Sequence, residues 1–532
     1  MVEFNAGIIL RKWSERTPDK AVIIYDDKPI TYKEMNEGAN HFAHYLQKKG
    51  LKKGERVACL LYNCPEFLEV YYAAAKLGLV FVPLNYRLTP SELEYQLNDS
   101  GTRLVMFDEQ LAGAIAPLRF KTKVEKDKFI WVKSNLPASP GCPEWAEDYH
   151  EVVKNCSAAE PLPELPVYMD DDLCIMYTSG VTGFPKGAVL THQQTYFKSF
   201  QNVLYTDMRS EDIYLAQLPL FHSGGLFVVA NPIFCRGATL VLRRRFIPQQ
   251  FAEDIQKYKT TIVFALTTMW RFILQTGKLE EVNLNSVRCA LIGGERTEEE
   301  LFRKLLSKGL RLLVVFGQTE NSAMMMLPEK DIERKMGSIG LPGFFSEIWI
   351  ADEQGKELAP GEIGEIVARG PLVMKGYWNK PEETAKAIVN GILHTGDLGY
   401  RDEEGYFYIV DRAKDMYRSG GENVYPAEIE KILLTHPKIS DVVIIGVPDE
   451  KWGETGKAFI VLKNGETITI EEVKDFLQGK IARYKFPTRL ELLDALPMTS
   501  SGKIRKVELK ERERRKRMPE ERLLLFSKTN KK

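Results

Sequence analysis

The chain has 532 residues, more than one hydrophobic core usually supports, so we expect more than one domain. Its hydrophobic content of 44% and charged content of 27% are typical of a soluble globular protein. Lysine plus arginine and aspartate plus glutamate both number 73, and this balance leaves no overall positive field to recruit nucleic acid.

The seven cysteines are scattered and odd in number, without a Cys-x-x-Cys pair. This pattern argues against a zinc site or a disulfide framework and favours a reducing cytosol. The first residues lack the basic and apolar regions of a signal peptide, and no run approaches the ~20 apolar residues of a membrane span. We therefore expect a cytoplasmic protein without a transmembrane segment, and the sequence leaves a homodimer open.

Short strands alternate with helices along the first part of the chain, which predicts α/β units on a mostly parallel sheet. Thr31 and Glu34 form a capping-box sequence for an amphipathic helix. A buried strand is expected at 57–61, a helix at 67–77 and a second strand at 80–84.

A glycine-rich loop follows an apolar run at 173–176 and precedes another at 188–190, so we predict that it joins two buried strands. Thr191 then fits the N-cap of a helix beginning at His192. The loop residues that we consider for phosphate binding are Thr178, Ser179, Gly180, Val181, Thr182, Gly183 and Lys186.

Glycines let the loop backbone approach a ligand, while the hydroxyls and Lys186 suit phosphate oxygens. It is not a Walker A loop, because Gly187 follows the lysine where that motif has Ser or Thr. The alternative is an ordinary Gly/Ser turn between strands.

The strand pattern resumes after the loop and then changes. Further strands are expected at 214–216, 239–242, 261–266, 289–292 and 312–316. Residues 346–408 shift to short strands with glycine turns, which predicts a smaller β-rich subdomain, and charges at 411–415 mark a domain boundary. Beyond it we expect helices and strands at 427–434, 442–447, 458–462 and 470–477, then a charged, solvated helix from Lys510.

Five motifs occur in order: the glycine-rich loop, Phe-Gly-Gln-Thr-Glu at 316–320, Thr-Gly-Asp at 395–397, Asp411-Arg412, and Leu-Pro-Met-Thr-Ser-Ser-Gly-Lys at 496–503. Together they resemble the adenylate-forming superfamily, and within it the AMP-forming acyl-CoA synthetases. The resemblance implies an α/β fold with a large N-terminal domain of sheets flanked by helices at 1–411. It also implies a hinge at 412–415 and a small mobile α+β domain at 416–532.

The resemblance implies an ATP-dependent acid–thiol ligase. A carboxylic acid would attack the α-phosphate of ATP to give acyl-AMP and pyrophosphate, and the thiol of coenzyme A would then displace AMP. A carboxylate is a poor nucleophile that meets a polyanion, so positioning, Mg²⁺ and cationic groups must supply the catalysis. ATP, Mg²⁺ and coenzyme A are the expected cofactor and co-substrates.

The resemblance assigns ATP binding to residues from all these motifs. They are Thr178, Ser179, Gly180, Val181, Thr182, Gly183, Lys186, Gly293, Gly294, Glu295, Phe316, Gly317, Gln318, Thr319, Glu320, Asp397, Arg412 and Lys503. The Thr178 hydroxyl and the Glu320 carboxylate would meet Mg²⁺, since hard oxygen ligands suit a hard cation. Val181 departs from the Ser or Thr of many family members and supplies no hydroxyl to a phosphate.

Four of these residues also have an ordinary structural interpretation. Glu320 could form a surface salt bridge, Asp397 could cap a turn, Arg412 could pair at a domain interface, and Lys503 could simply be solvated.

The catalytic set implied by the resemblance is Thr178, His222, Glu320 and Lys503, with Lys414 at the hinge about which the C-terminal domain rotates. Lys503 would bridge the substrate carboxylate and the α-phosphate. Coenzyme A is expected beside Ser419, Gly420, Gly421, Glu422 and Trp452.

The stretch 219–226 resembles the acyl-pocket motif, with His222 near the substrate carboxylate. The pocket residues expected are Phe221, His222, Leu226, Thr268 and Met324, although apolar residues at these spacings fit a core equally well. The amino-acid-activating members have an aspartate in this stretch and this chain has none, which argues against an amino-acid substrate.

We favour a medium- or long-chain fatty or cyclic aliphatic acid, with an aryl acid of the benzoate or coumarate kind as the alternative. A luciferase-type oxidoreductase and a non-catalytic nucleotide-binding protein are remote alternatives. The final residues, Thr-Asn-Lys-Lys rather than a peroxisomal Ser-Lys-Leu, argue mildly against the luciferase type.

Overall fold

The structure is a computed structural model. It describes residues 3–134, 141–178, 185–294, 297, 299–412, 415–419, 422–449, 452–481, 483–498 and 504–516. The chain divides into two compact units. The first consists of Met1–Ile348 with Val367–His394, and the second of Trp349–Ile366 with Thr395–Lys532.

Side-chain caps begin two of the helices expected from the sequence. The Thr31 side chain accepts from the Glu34 N–H and the Glu34 carboxylate accepts from the Thr31 N–H, so the predicted capping box is confirmed. Thr191 and Gln194 make the same reciprocal pair and begin the predicted helix at His192.

The α-helices of the described residues are α1 (Gly7–Arg16), α2 (Tyr32–Lys48), α3 (Pro65–Leu77), α4 (Pro90–Ser100), α5 (Ala112–Ile115), α6 (Tyr149–Lys154), α7 (His192–Tyr205), α8 (Asn231–Arg236), α9 (Pro248–Tyr258), α10 (Thr267–Gln275), α11 (Glu299–Ser307), α12 (Pro381–Ala387), α13 (Pro426–Leu433), α14 (Ile470–Leu477) and α15 (Lys506–Lys516). A π-helical segment, Gly224–Ala230, leads directly into α8. None of the described helices is long and apolar enough to cross a bilayer.

The strands of the described residues are β1 (Ala21–Tyr25), β2 (Lys28–Thr31), β3 (Arg56–Leu60), β4 (Val80–Pro83), β5 (Thr102–Asp108), β6 (Phe129–Val132), β7 (Glu147–Asp148), β8 (Asp172–Thr178), β9 (Lys186–Thr191), β10 (Ile213–Leu215), β11 (Thr239–Leu242), β12 (Ile262–Leu266), β13 (Cys289–Gly293), β14 (Leu312–Gln318), β15 (Ser322–Leu327), β16 (Leu341–Pro342), β17 (Glu347–Ala351), β18 (Gly364–Arg369), β19 (Gly376–Tyr377), β20 (Ile388–Val389), β21 (Ile392–Arg401), β22 (Phe407–Arg412), β23 (Tyr417–Ser419), β24 (Glu422–Val424), β25 (Ile439–Asp449), β26 (Gly453–Leu462) and β27 (Arg489–Leu492).

Two large sheets form the described part of the first unit. Nine strands follow the order β16-β15-β14-β13-β12-β10-β11-β1-β2, and eight follow the order β19-β9-β8-β4-β3-β5-β6-β7. The pairings from β1 through β11, β10, β12 and β13 to β14 are parallel, as are those among β3 to β8. The predicted mostly parallel α/β sheets are therefore confirmed.

The ends of two strand pairs place the residues of interest. β8 and β9 are antiparallel with Thr178 opposite Lys186, so the glycine-rich loop joins two adjacent strands, as predicted. β14 ends at Gln318 and returns antiparallel as β15, with a register shift between Phe316 and Gly317.

The second unit holds a sheet in the order β24-β23-β26-β25 with β27 beside β26, among the described strands. Its core contains Ile429 and Leu433 of α13 against Ile444 and Ile460 of β25 and β26. Short strands β17 to β22 fill the region where they were predicted. The large α/β domain with a smaller C-terminal domain agrees with the predicted fold class, whereas the hinge at 412–415 stays a prediction.

Candidate active site

The two flanks of the glycine-rich loop are held by side chains of the first unit. The Tyr177 hydroxyl donates to the Asp99 carboxylate at 2.7 Å, and the Tyr95 hydroxyl donates to the Pro185 carbonyl at 3.2 Å. The Trp378 backbone N–H donates to the Gly187 carbonyl at 2.7 Å. Burial and Asp99 raise the pKa of Tyr177, so this hydroxyl remains a neutral donor. Both ends of the loop are therefore fixed.

Lys186 and Glu320 are brought together through one aromatic residue. The Lys186 ammonium lies 5.1 Å from the ring centroid of Tyr377 and pairs with the Glu383 carboxylate. The Tyr377 hydroxyl donates to Glu320 Oε1 at 2.9 Å. Burial and then the Glu320 charge raise the pKa of Tyr377, so the hydroxyl keeps its proton. A cation suited to phosphate and a carboxylate suited to a metal thus share one neighbour.

The turn that carries Glu320 depends on a residue without a side chain. A Cβ at Gly317 would lie 1.6 Å from the Ser322 carbonyl oxygen, so only glycine fits. The Gln318 N–H donates to Asn321 Oδ1 at 2.9 Å, and the Glu320 carbonyl accepts from the Met374 N–H at 2.6 Å. The backbone on both sides of Glu320 is therefore held in place.

The predicted adenine segment begins at the end of β13, beside β14. A Cβ at Gly293 would lie 2.1 Å from the Val315 carbonyl oxygen, and Gly294 has a φ of +82°. Both positions require glycine, for close approach and for the left-handed conformation respectively. Phe316 then follows on β14, so the structure brings these two predicted motifs to neighbouring parallel strands.

Asp397 lies in the second unit, buried on β21 and opposite Arg412 of β22 in the strand register. Its N–H donates to Thr395 Oγ1 at 3.1 Å, and Thr395 Oγ1 donates to the Ile366 carbonyl at 2.6 Å. The Asp397 and Arg412 positions are thus paired, as a shared ribose site requires, although the Arg412 side chain lies outside what the structure describes.

The predicted acyl motif is anchored at its start by Asn63. Asn63 accepts from the Leu220 N–H at 2.8 Å and donates to the Leu218 carbonyl at 2.9 Å. The ring centroids of Phe221 and His222 lie 4.3 Å apart, and both residues come just before the π-helical segment. That segment carries Leu226 and is apolar and buried from its second residue onward.

The remaining acyl residues come from other elements. Met324 is fully buried on β15, which packs against the π-helical segment, whereas Thr268 is half-buried near the start of α10. Phe221, His222 and Leu226 are close in sequence, and the strand that carries Met324 packs against the same π-helical segment, whereas Thr268 lies on the separate helix α10.

Several predicted residues lie outside the described residues: Ser179, Gly180, Val181, Thr182, Gly183, Glu295, Lys414, Gly420, Gly421 and Lys503. For Lys503 the structure describes both ends of its loop. Met498 and Ile504 form an antiparallel bridge, and the Arg505 N–H donates to the Pro497 carbonyl at 2.8 Å. The base of the Lys503 loop is thus closed.

Ion pairs anchor the helix that follows this base. Lys506 Nζ lies 2.9 Å from Glu430 Oε1 and Lys510 Nζ lies 3.0 Å from Asp415 Oδ1. Burial opposes charge on Lys506, but the carboxylates of Glu430 and Asp411 outweigh it and raise the pKa of Lys506. These pairs join α15 to α13 and to Asp415, the last residue of the predicted hinge.

The coenzyme A residues also lie in the second unit. Ser419 is buried on β23, opposite Gly453 of β26, and Trp452 precedes that glycine with 45% of its surface exposed. Ser419 therefore lies on β23, and Trp452 comes immediately before the neighbouring strand β26. The Glu422 side chain is outside the described residues.

Tyr377 and Glu383 were not predicted from the sequence. They lie 57 and 197 residues along the chain from the Glu320 and Lys186 that they contact. No local pattern in the sequence indicates a pairing over such separations.

The protein groups fit a magnesium ion that arrives with a nucleotide. Within the described residues, no cluster of three or more His, Cys, Asp or Glu side chains could hold a metal alone. Thr178 and Glu320 offer one hydroxyl and one carboxylate, which are hard oxygen donors, and Mg²⁺ usually takes its other ligands from phosphates and water.

Comparison with known proteins decides the family. The sequence profile of the AMP-binding enzymes matches residues 10–378, and the profile of the AMP-binding enzyme C-terminal domain matches residues 428–503. The chain belongs to the AMP-binding enzyme family.

This AMP-binding enzyme is 37% identical to a feruloyl-CoA synthase of an Amycolatopsis species over 497 residues, which are 93% of this chain and 96% of the relative. It is 35% identical to a long-chain-fatty-acid–CoA ligase of Mycobacterium tuberculosis over 510 residues, or 95% and 98% of the two chains. O-Succinylbenzoate coenzyme A synthetase from Bacillus subtilis, solved with ATP and magnesium ion, superimposes with a TM-score of 0.83 at 32% identity, covering 96% of this chain and 100% of that one.

These matches confirm the predicted family, the fold class and the enzyme class, an ATP-dependent carboxylate–CoA ligase that uses Mg²⁺ and coenzyme A. The two relatives are named for acids as different as an aryl acid and a long-chain fatty acid. The comparisons therefore identify this AMP-binding enzyme as an acyl- or aryl-CoA ligase.

Proposed function

We propose that this AMP-binding enzyme activates a medium- or long-chain fatty acid or a cyclic aliphatic acid as its acyl-adenylate and then transfers the acyl group to coenzyme A. The observation that carries the choice of acid is the continuous apolar, buried segment from Leu226 to Ala230, which begins four residues after His222. Met324 packs in the same neighbourhood and adapts to flexible chains. No charged side chain interrupts this stretch of sequence.

ATP would bind with its β- and γ-phosphates at the loop 178–186 and its adenine beside 293–295 and 316–319. The connection of Lys186 to Glu320 through Tyr377 supports this assignment, since both groups then face the same polyanion. Thr178 and Glu320 would hold Mg²⁺, which neutralises phosphate charge when bound. Asp397 would accept from the ribose hydroxyls, with Arg412 beside it.

The C-terminal domain, residues 416–532, would supply Lys503 for the first half-reaction. Ser500, Ser501 and Gly502 precede Lys503 in the sequence, a composition that suits a group that enters and leaves a site. Rotation about the hinge 412–415, at Lys414, would then replace Lys503 by the segment 419–422, where coenzyme A binds with Trp452 nearby.

An aryl acid is the second candidate. The rings of Tyr86 and Phe221 meet edge-to-face with centroids 5.1 Å apart, and Phe221 adjoins His222. Aromatic surfaces of this kind suit a planar ring. The 37% identity to a feruloyl-CoA synthase favours the same alternative.

Pyrophosphate release with ATP, Mg²⁺ and coenzyme A across a carboxylate panel tests the proposal. The panel holds acetate, hexanoate, palmitate, cyclohexanecarboxylate, benzoate and several amino acids. We expect the strongest release with hexanoate, palmitate or cyclohexanecarboxylate, and none with amino acids. A response confined to benzoate would establish the aryl alternative, and no release with any acid would overturn the assignment.

A further inference from the structure

One side of α7 carries buried polar residues at helical spacing: Gln194, Lys198 and Gln201. Residues at i, i+4 and i+7 lie along the same side of a helix, and a buried side is normally apolar. Here Lys198 is only 1% exposed and Gln201 is 0% exposed. We refer to these three residues as the polar row.

The polar row reaches the backbone of the β14–β15 turn. Lys198 Nζ donates to the Thr319 carbonyl at 3.5 Å, and the Gln201 amide donates to the Ala323 carbonyl. Buried carbonyls need hydrogen-bond partners, so each of these donors favours one position of the backbone that it contacts. The two accepting residues lie on either side of Glu320.

A third contact acts on the segment that packs against this turn. The Gln194 amide donates to the Val373 carbonyl, and the next residue, Met374, donates its N–H to the Glu320 carbonyl at 2.6 Å. All three members of the polar row therefore hold the backbone around Glu320 by hydrogen bonds, Lys198 and Gln201 directly and Gln194 through the neighbouring segment.

The polar row also connects two halves of the candidate site. α7 starts immediately after β9, whose first residue, Lys186, lies opposite Thr178 in the strand register. The same helix thus links the β8–β9 strand pair, which carries Thr178, to the turn that carries Glu320. We propose that the polar row, with Lys198 at its centre, positions the Glu320 carboxylate for the magnesium–nucleotide complex. This inference rests on the proposed function, because it requires Glu320 as a metal ligand.

Lys198 is a positioning residue in this scheme and not an ion-pair partner. Among the described residues its Nζ donates to a carbonyl and lies 5.2 Å from the ring centroid of Phe227. The ionisable groups that face it are the Cys174 thiol and the Glu320 carboxylate. Burial lowers the pKa of Lys198 to about 7, so a measurement at about pH 8.5 separates its hydrogen bond from its charge.

The test is the dissociation constant of ATP, measured by calorimetry on the full chain with and without Mg²⁺, in the absence of acid and coenzyme A. Lys198→Met removes the donor and keeps a similar length of side chain. We expect Mg²⁺ to strengthen ATP binding by the unaltered protein, and Lys198→Met to lose roughly three- to tenfold of that strengthening. Binding of ATP without Mg²⁺ is expected to stay the same.

Tyr205→Phe is the matched control. Tyr205 continues the same side of α7, but its hydroxyl donates to the Pro342 carbonyl of β16 at 3.1 Å. We expect this variant to change neither dissociation constant. Lys198→Gln keeps a donor and is expected to recover part of the loss. If Lys198→Met does not fold, Gln201→Met removes another bond to the same turn and is expected to shift the Mg²⁺-dependent constant in the same direction.

Glu320→Gln separates this inference from the assignment on which it rests. If Glu320→Gln leaves the Mg²⁺-dependent strengthening intact, Glu320 is not a ligand and that part of the proposed function fails. If Glu320→Gln abolishes the strengthening while Lys198→Met and Gln201→Met bind as the unaltered protein does, the inference about the polar row alone is overturned.

Discussion

The turn that carries Glu320 and the base of the Lys503 loop are supported by different kinds of interaction. Around Glu320 the supports are the Met374 backbone N–H, the Tyr377 hydroxyl and the close contact at Gly317. At the base of the Lys503 loop, the ion pairs of Lys506 and Lys510 add to the strand bridge and to the apolar packing of Leu496 and Leu509.

The difference shows how each region holds a functional group. Short hydrogen bonds and steric contacts define one backbone position and depend little on salt, whereas exposed charge pairs are screened and buried ones carry a desolvation cost. The Glu320 turn thus holds one fixed backbone position, as the proposed role of Glu320 as a metal ligand requires. The Lys503 loop is attached to a helix whose anchoring depends on keeping charged groups paired.

The largest expected effect is on the rate of the first half-reaction. Lys503→Ala should lower adenylation by roughly 10²- to 10³-fold, because it removes a positioned charge from the reacting phosphate. Thioester formation from a supplied acyl-adenylate should be largely intact. Separate assays of the two half-reactions check this, and an equal loss in both would contradict the assigned role.

The next effect concerns stability of the charged region. Lys506→Met should destabilise the protein by about 3 kcal/mol, because it leaves the mostly buried Glu430 carboxylate without its cation. Each side chain of the pair is only 16% exposed. Denaturant unfolding measures the change, and Lys506→Met combined with Glu430→Leu should recover most of it.

Lys304→Met is the control for this prediction. Lys304 and Glu300 form an exposed pair four residues apart on α11. Its loss should cost about 0.5 kcal/mol or less. If Lys506→Met had an effect as small as that of Lys304→Met, the ion pair would not be what anchors α15.

The next prediction, smaller per pH unit, concerns the neutral character of α7, the helix whose polar row contacts the Glu320 turn. His192 is fully buried at the start of α7, its Nδ1 accepts from the Ala6 N–H at 3.1 Å, and burial lowers its pKa to about 3. The unfolded chain binds a proton below about pH 6.5 while the folded chain does not. Stability should therefore be lost as the pH falls from about 6.5 toward 3, by at most about 1.4 kcal/mol per pH unit from this group.

His192→Gln removes the titrating group, so the dependence of the unfolding free energy on pH should become shallower in that window. His44→Gln is the control, since the His44 ring contacts the Ala159 carbonyl at 3.0 Å on the exposed surface. An unchanged slope in His192→Gln would show that other groups govern acid unfolding.

Local rules accounted for much of the fold. Thr31 and Thr191 were predicted as caps because a capping box involves residues three apart, and both occur. The strand at 239–242 was predicted with its observed bounds, because a short apolar run between polar flanks has few other interpretations. The order of motifs then identified the family, since several patterns in sequence are far more specific than one.

Other features depend on contacts between distant parts of the chain. Nothing near Lys186 indicates that Glu383 pairs with it or that Tyr377 connects it to Glu320. The helix beginning at His192 was expected from its cap alone, because its buried side is polar and gives no apolar period. Residues 349–366 join the second unit only through tertiary packing, which composition does not reveal.

The π-helical segment Gly224–Ala230 has a consequence for how related enzymes can diverge in substrate. Backbone hydrogen bonds in a π-helix join residues five apart, whereas those in an α-helix join residues four apart. Deletion of one residue can therefore return a π-helical segment to α-helical form. Such a deletion would rotate Leu226 and its neighbours about the helix axis while leaving His222 before it and α8 after it in place. If this segment lines the acyl pocket as we propose, loss of one codon would exchange which side chains face the acid, without redesign of the predicted nucleotide-binding residues.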